Sequence, residues 1–216
     1  MAPGGWWTST RQAAGPGSKP HSPTWASPPL WRGSWVGPSL RCETTERSKP
    51  VGDTEYGALR VAIGSDRAGD TYKSVLTGDL HAHRLVGGVI EGSPGQQSAA
   101  TYPEVAFAAA QLVACGEADR ALLVCHTGLG MAVAANKVPG VRAVTAHDSL
   151  SVQAAVLSNN AQVLALGQGV IGLQLARRLV AEWLTYRFDS TSSAAKKVEA
   201  ITALERRASH YMQGRG

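Results

Sequence analysis

From Leu59 onward, short apolar runs alternate with amphipathic stretches. "LRVAIGS" (59–65), "RLVGGVIEG" (84–92), "RALLVC" (120–125), "VRAVTAH" (141–147) and "AQVLALG" (161–167) read as strands. Helical spacing predicts helices over 68–80, 103–116, 129–137, 149–157 and about 170–185, with a terminal helix inside 192–208. Regular strand–helix alternation implies a parallel sheet covered on both faces. The expected fold is therefore α/β: a Rossmann-like, three-layer α/β/α domain over 58–208, with five parallel strands and a C-terminal helix. Residues 209–216 read as a flexible tail, and no internal repeat is visible.

Residues 1–57 follow a different rule. They hold eight of the eleven prolines and five of the six tryptophans, and show neither a helical nor a strand period. Composition of this kind cannot offset its ordering entropy, so a disordered extension is expected. The compact apolar core of a signal peptide is absent from "MAPGGWWTSTRQAAG".

Charge changes the picture only by its location. The net charge is +5, but residues 1–50 carry six Lys and Arg against two Asp and Glu. The globular part is nearly neutral, which argues against nucleic acid as a partner. No apolar run is long enough to span a membrane. Three scattered cysteines form no disulfide framework or zinc ribbon, and a cytoplasmic setting fits best. His81, His83, His147 and His210 show no metal-ligand spacing, so no metal is expected, and most of them are expected at the surface.

In parallel α/β sheets the site lies beyond the carboxyl ends of the strands. "GSDRAG" (64–69), "CHTGLG" (125–130) and "AHDS" (146–149) emerge there. Asp148 and Ser149 immediately precede a helix and read as its cap. Asp66 suits a turn and a functional role equally. In "CHTGLG", Gly128 and Gly130 allow a sharp turn in which successive N–H groups can face one oxygen. A dinucleotide fingerprint would require glycine at position 133, where Val133 stands, and no Walker Gly-Lys-Ser/Thr follows. Cys125, at the entrance to a helix, is either a buried small hydrophobe or a thiolate base. His126 could assist Cys125, but a neighbour on a strand end can point away, and a solvated loop histidine is the favoured reading.

"VAIGSDRAG", "YPEVA", "GEADRALLVCHTGLGMAVAANKVPGVRAV", "LSNNAQVLALGQGVIG" and "KKVEAITALE" together resemble the ribose-5-phosphate isomerase B and galactose-6-phosphate isomerase family, over about residues 59–207. The resemblance implies cofactor-free interconversion of a phosphorylated aldose and ketose through a cis-enediolate. It also implies a homodimer whose sites draw on both chains. By the same resemblance Cys125 stands at the position of the base, and Thr127 with the N–H groups of residues 128–132 (Gly128, Gly130 and Met131 among them) at the oxyanion loop. Asp66 matches an acid contacting sugar hydroxyls, Asn159 a sugar-binding asparagine and Tyr102 an aromatic near the site.

Four departures from the family pattern stand out. Arg67 replaces a histidine. Ser158 replaces a histidine associated with ring opening, and Gly169 an arginine. Ser193 and Lys197, with Lys196 adjacent, replace a phosphate-gripping arginine pair. Arg67 and Lys197 are the candidates to rebuild the phosphate site, although lysine lacks the bidentate fork of arginine. "HDSLS…LSNNAQV" resembles most the branch that isomerises D-erythrulose 4-phosphate. Ribose-5-phosphate isomerase is the alternative, and a catalytically weak sugar-phosphate-binding protein a third reading.

Overall fold

The computed structural model describes residues 57–93 and 100–213; the extension expected over residues 1–57 lies outside them but for Gly57. Eleven elements follow in order: β1 (Leu59–Ser65), α1 (Asp70–Ala82), β2 (Val86–Glu91), α2 (Tyr102–Ala114), β3 (Arg120–Cys125), α3 (Leu129–Ala135), β4 (Ala143–Thr145), α4 (Ser149–Leu157), β5 (Val163–Gly167), α5 (Leu173–Thr185) and α6 (Ala195–Gln213). The strands form one parallel sheet in the order β2-β1-β3-β5-β4. The expected α/β architecture is what the chain adopts. The terminal helix runs on to Gln213, so the domain boundary expected at 208 falls inside it.

Topology fixes the layers. Moves from β1 to β2 and from β4 to β5 run one way across the sheet, those from β2 to β3 and β3 to β4 the other. Right-handed crossovers must then put α1 and α4 on one face and α2 and α3 on the other. The two cores agree, and α5 joins the first face. β1 and β3 are neighbours whose connections leave in opposite directions, which opens a crevice between their carboxyl ends.

Strand alternation divides the core unequally. Along β3, Ala121, Leu123 and Cys125 face α2 and α3, whereas Leu122 and Val124 face α1, α4 and α5. The α2/α3 side is built largely from alanine: Ala62, Ala106, Ala109, Ala110, Ala132 and Ala165 are all buried. The opposite side packs Leu76, Leu80, Leu164, Leu179 and Trp183. β3 and β5 are buried at every position, as central strands must be.

At the amino edge, the buried Arg120 donates from its guanidinium to the carbonyl oxygens of Trp183 and Tyr186 and lies 5.1 Å over the Trp183 ring. It thereby closes the last turn of α5, whose terminal carbonyls have no helical donor. α6 stands apart: Val198 is buried, but Ile201 (47% exposed), Leu204 (58%) and Tyr211 (59%) are not.

Candidate active site

Cys125 is the last residue of β3 and only 6% exposed. Its Sγ accepts the N–H of Gly128 at 3.1 Å. Gly128 makes this turn with φ +78, where a Cβ would stand 3.1 Å from the Ala165 carbonyl oxygen. Its own carbonyl accepts from the Thr145 hydroxyl at 3.0 Å, which anchors the loop to β4. The thiol thus stands at the entrance to α3 with its sulfur tied to the loop backbone.

The loop donors sort themselves. Gly128 N–H is taken by Cys125, and Ala132 N–H by the Gly128 carbonyl at 3.1 Å. Leu129 N–H lies 3.4 Å from the Thr127 hydroxyl oxygen. The N–H groups of Gly130 and Met131 have no partner among the described residues. Of the expected donors at 128–132, these two are free for an oxyanion. The Met131 side chain is fully buried, so its backbone alone can serve a ligand.

Tyr102 opens α2, where Glu104 reaches back to accept the Thr101 N–H at 2.8 Å and hydroxyl at 2.7 Å. Those bonds hold the Glu104 carboxyl below its usual pKa. The Tyr102 ring lies on Gly130: a Cβ there would stand 2.6 Å from Tyr102 Cε2. Tyr102 therefore walls the loop on the same face as Cys125.

Asp66 and Arg67 follow β1 at the same edge. Asp66 Oδ1 accepts the Ala68 N–H at 3.0 Å, a turn bond that leaves Oδ2 unpartnered among the described residues. Arg67 is exposed. The structure thus gathers Tyr102, Cys125, Thr127, Gly128, Gly130 and Met131 at one loop and sets Asp66 and Arg67 at the same edge of the sheet.

Asn159 and Lys197 are elsewhere. Asn159 follows α4 and precedes β5, and its carbonyl accepts from Arg142 Nε at 3.1 Å at the amino edge. β5 alone separates that edge from Gly167 by about 13 Å at 3.3 Å per residue. Lys197 is exposed in the first turn of α6, a helix tied to the amino edge where Glu205 accepts the Gly140 N–H at 3.0 Å. Neither side chain bonds to the Cys125 loop among the described residues of the protomer.

Sequence reasoning missed His147. Given no role by its place in the sequence, it is half-buried, and its Nε2 accepts the Gly167 N–H at 2.9 Å. Loss of hydration pulls its pKa down, against the opposing pull of Asp148. Gly167 in turn lies directly beneath Thr127, so His147 supports the loop from below. Asp148 is the expected helix cap, with Oδ1 accepting the Ser151 N–H at 2.8 Å. Asn136 joins α3 to β4: it accepts the Ala143 N–H and donates to the Ala143 carbonyl, both at 2.8 Å. Among the described residues no group of acids, histidines and cysteines is arranged to hold a metal, and no helix is long and apolar enough to cross a membrane.

Residues 61–201 match the family described as Ribose/Galactose Isomerase. The chain is 58% identical over 149 residues to D-erythrulose-4-phosphate isomerase 2 of Mycolicibacterium smegmatis, covering 68% of this chain and 98% of that protein. It is 37% identical over 150 residues to ribose-5-phosphate isomerase B of Escherichia coli, covering 68% and 97%. The solved ribose-5-phosphate isomerase B of Clostridium thermocellum superposes with a TM-score of 0.64 at 35% identity, covering 69% of this chain and 99% of that one. The chain belongs to the ribose/galactose isomerase family and is a sugar-phosphate isomerase.

Proposed function

We propose that this chain interconverts D-erythrulose 4-phosphate and D-erythrose 4-phosphate, without a cofactor, as a cytoplasmic homodimer. The observation that carries the reading is Ser158 in place of the family's ring-opening histidine. Ribose 5-phosphate is mainly a ring, since its free C4 hydroxyl attacks the C1 aldehyde. Opening that ring needs a proton shuttle, and histidine suits the task. In erythrose 4-phosphate O4 carries the phosphate, so the five-membered ring cannot form. Serine at 158 then costs the enzyme nothing. The 58% identity to an isomerase named for D-erythrulose 4-phosphate supports the same substrate.

In this reading the Cys125 thiolate removes a proton from C1 of the ketose, and the resulting thiol returns it to C2. The Thr127 hydroxyl serves the proton that passes between O1 and O2. The free N–H groups of Gly130 and Met131 meet the enediolate oxygen. Asp66 binds sugar hydroxyls, Tyr102 walls the site and Arg67 faces the phosphate. Asn159 and Lys197 are supplied by a second copy, which the place of Asn159 at the opposite edge supports. The exposed apolar positions of α6 support a dimer as well.

Comparison of kcat/KM on the tetrose and pentose phosphate pairs tests the substrate. The tetrose pair is expected to be clearly preferred. Equal or better use of ribose 5-phosphate would favour the second reading, ribose-5-phosphate isomerase, which the likeness to the Clostridium thermocellum enzyme supports. Absence of turnover on either pair would favour the sugar-phosphate-binding protein.

A further inference from the structure

The alternation that turns the Cys125 thiol toward α2 and α3 turns the next side chain, His126, the other way. Its imidazole lies on the turn between β5 and α5, against Gly169. A Cβ on Gly169 would stand 2.2 Å from His126 Cε1 and 2.5 Å from Nδ1. The two backbones are joined at the same point, with the Gly169 N–H donating to the His126 carbonyl at 2.9 Å. No side chain at position 169 is compatible with the ring where it stands. The vacancy at 169 and the imidazole at 126 are one arrangement.

The ring is exposed, and its nitrogens make no hydrogen bond or ion pair with any described residue. A side chain seated by packing, with its polar atoms unused, is preorganised for a ligand. Neighbouring chemistry indicates which. β3 lies between β1 and β5, and Ser65 pairs with Val124 while Cys125 pairs with Gly167. Arg67, His126 and Gly169 therefore lie one or two residues past the last paired positions, on three adjacent loops. Arg67 is likewise exposed and unpaired among the described residues. Two donors of this kind at one rim suit an oxyanion with several acceptors.

We propose that His126, seated by Gly169, binds the phosphate monoester of the substrate through a ring N–H, beside Arg67. The assignment rests on the sugar-phosphate isomerase reading but not on the choice of tetrose over pentose. It makes position 126 the replacement for whatever a side chain at 169 would have contributed.

The test uses the full chain and inorganic phosphate as a competitive inhibitor against whichever sugar phosphate is turned over best. His126→Ala is expected to raise KM and the phosphate inhibition constant together by about tenfold, the scale of one charge-assisted hydrogen bond, with kcat changed less than about threefold. Gly169→Ala, which displaces the ring but leaves its chemistry intact, should give the same rise. Gly169→Arg in a His126→Gly background should restore phosphate inhibition, because the place vacated by the ring is then open to a longer cation. An unchanged phosphate constant in His126→Ala would overturn the assignment. So would a rise confined to Gly169→Ala, which would report loop distortion instead. A raised phosphate constant in an enzyme that prefers ribose 5-phosphate would overturn the tetrose reading and leave His126 in its role.

Discussion

The Gly128 N–H and the Cys125 sulfur, 3.1 Å apart, close a loop around the thiol. The bond holds the sulfur in one place at the mouth of the loop, as a positioned base requires. Cys125→Ala is expected to lower kcat by at least ~100-fold, the usual scale of a positioned base. Its thermal midpoint should change little, and thiol alkylation of the native protein should inactivate unless substrate is present. Near-native turnover by the alanine variant would remove the cysteine from the mechanism.

Asn159 and Cys125 lie at opposite edges of the same sheet. If a site takes one from each chain, subunits carrying Cys125→Ala and subunits carrying Asn159→Ala should complement. Random mixing makes half the dimers heterodimers, each with one intact site, so roughly a quarter of native activity should return. Absence of recovery after verified subunit exchange would mean that Asn159 does not serve a partner's site.

His147 gives stability a pH dependence whose sign is fixed. Its folded pKa lies below the ordinary 6.5, chiefly through lost hydration, so the folded protein binds this proton less tightly than the unfolded chain. The stabilisation is therefore complete above about pH 6.5 and is lost as pH falls through the folded value. The thermal midpoint should drop between about pH 7 and 5, and less steeply in His147→Gln, which keeps an acceptor without titrating. An identical slope in the variant would assign the effect to other groups.

Arg120 is held charged in a buried place. Desolvation, with Arg187 adding to it and Asp119 opposing, brings its pKa down to about 10. Arg120→Met would leave the carbonyls of Trp183 and Tyr186 without their donor and is expected to cost about 2–4 kcal/mol in urea unfolding, with KM unchanged. A cost below about 0.5 kcal/mol would show that those carbonyls find other partners.

Strands 59–65 and 120–125 and the helix 149–157 were legible end to end, because their apolar runs stop at sharp polar or glycine boundaries. The expected strand at 141–147 shrinks to Ala143–Thr145, as β4 is an edge strand paired on one side only. At the site, the Cys125 loop was legible through its glycine spacing, and the capping role of Asp148 through its place before a helix. The support from His147 and the seating of His126 on Gly169 were not. Both depend on contacts between segments that meet only once β3, β4 and β5 are side by side. Asn136, to which the sequence assigns no role, is a stitch between α3 and β4.

The alanine flank beneath Cys125 limits how this enzyme can evolve. Side chains that small leave α2 and α3 no slack to trade against the sheet: an added methyl group there must move a helix, and with it the base, the loop donors and Tyr102. The leucine and tryptophan flank under α5 can exchange volume between neighbours and drift. New substrate preferences in this lineage should therefore arise at the rim, at positions such as 67, 126 and 169, while the floor of the site stays fixed.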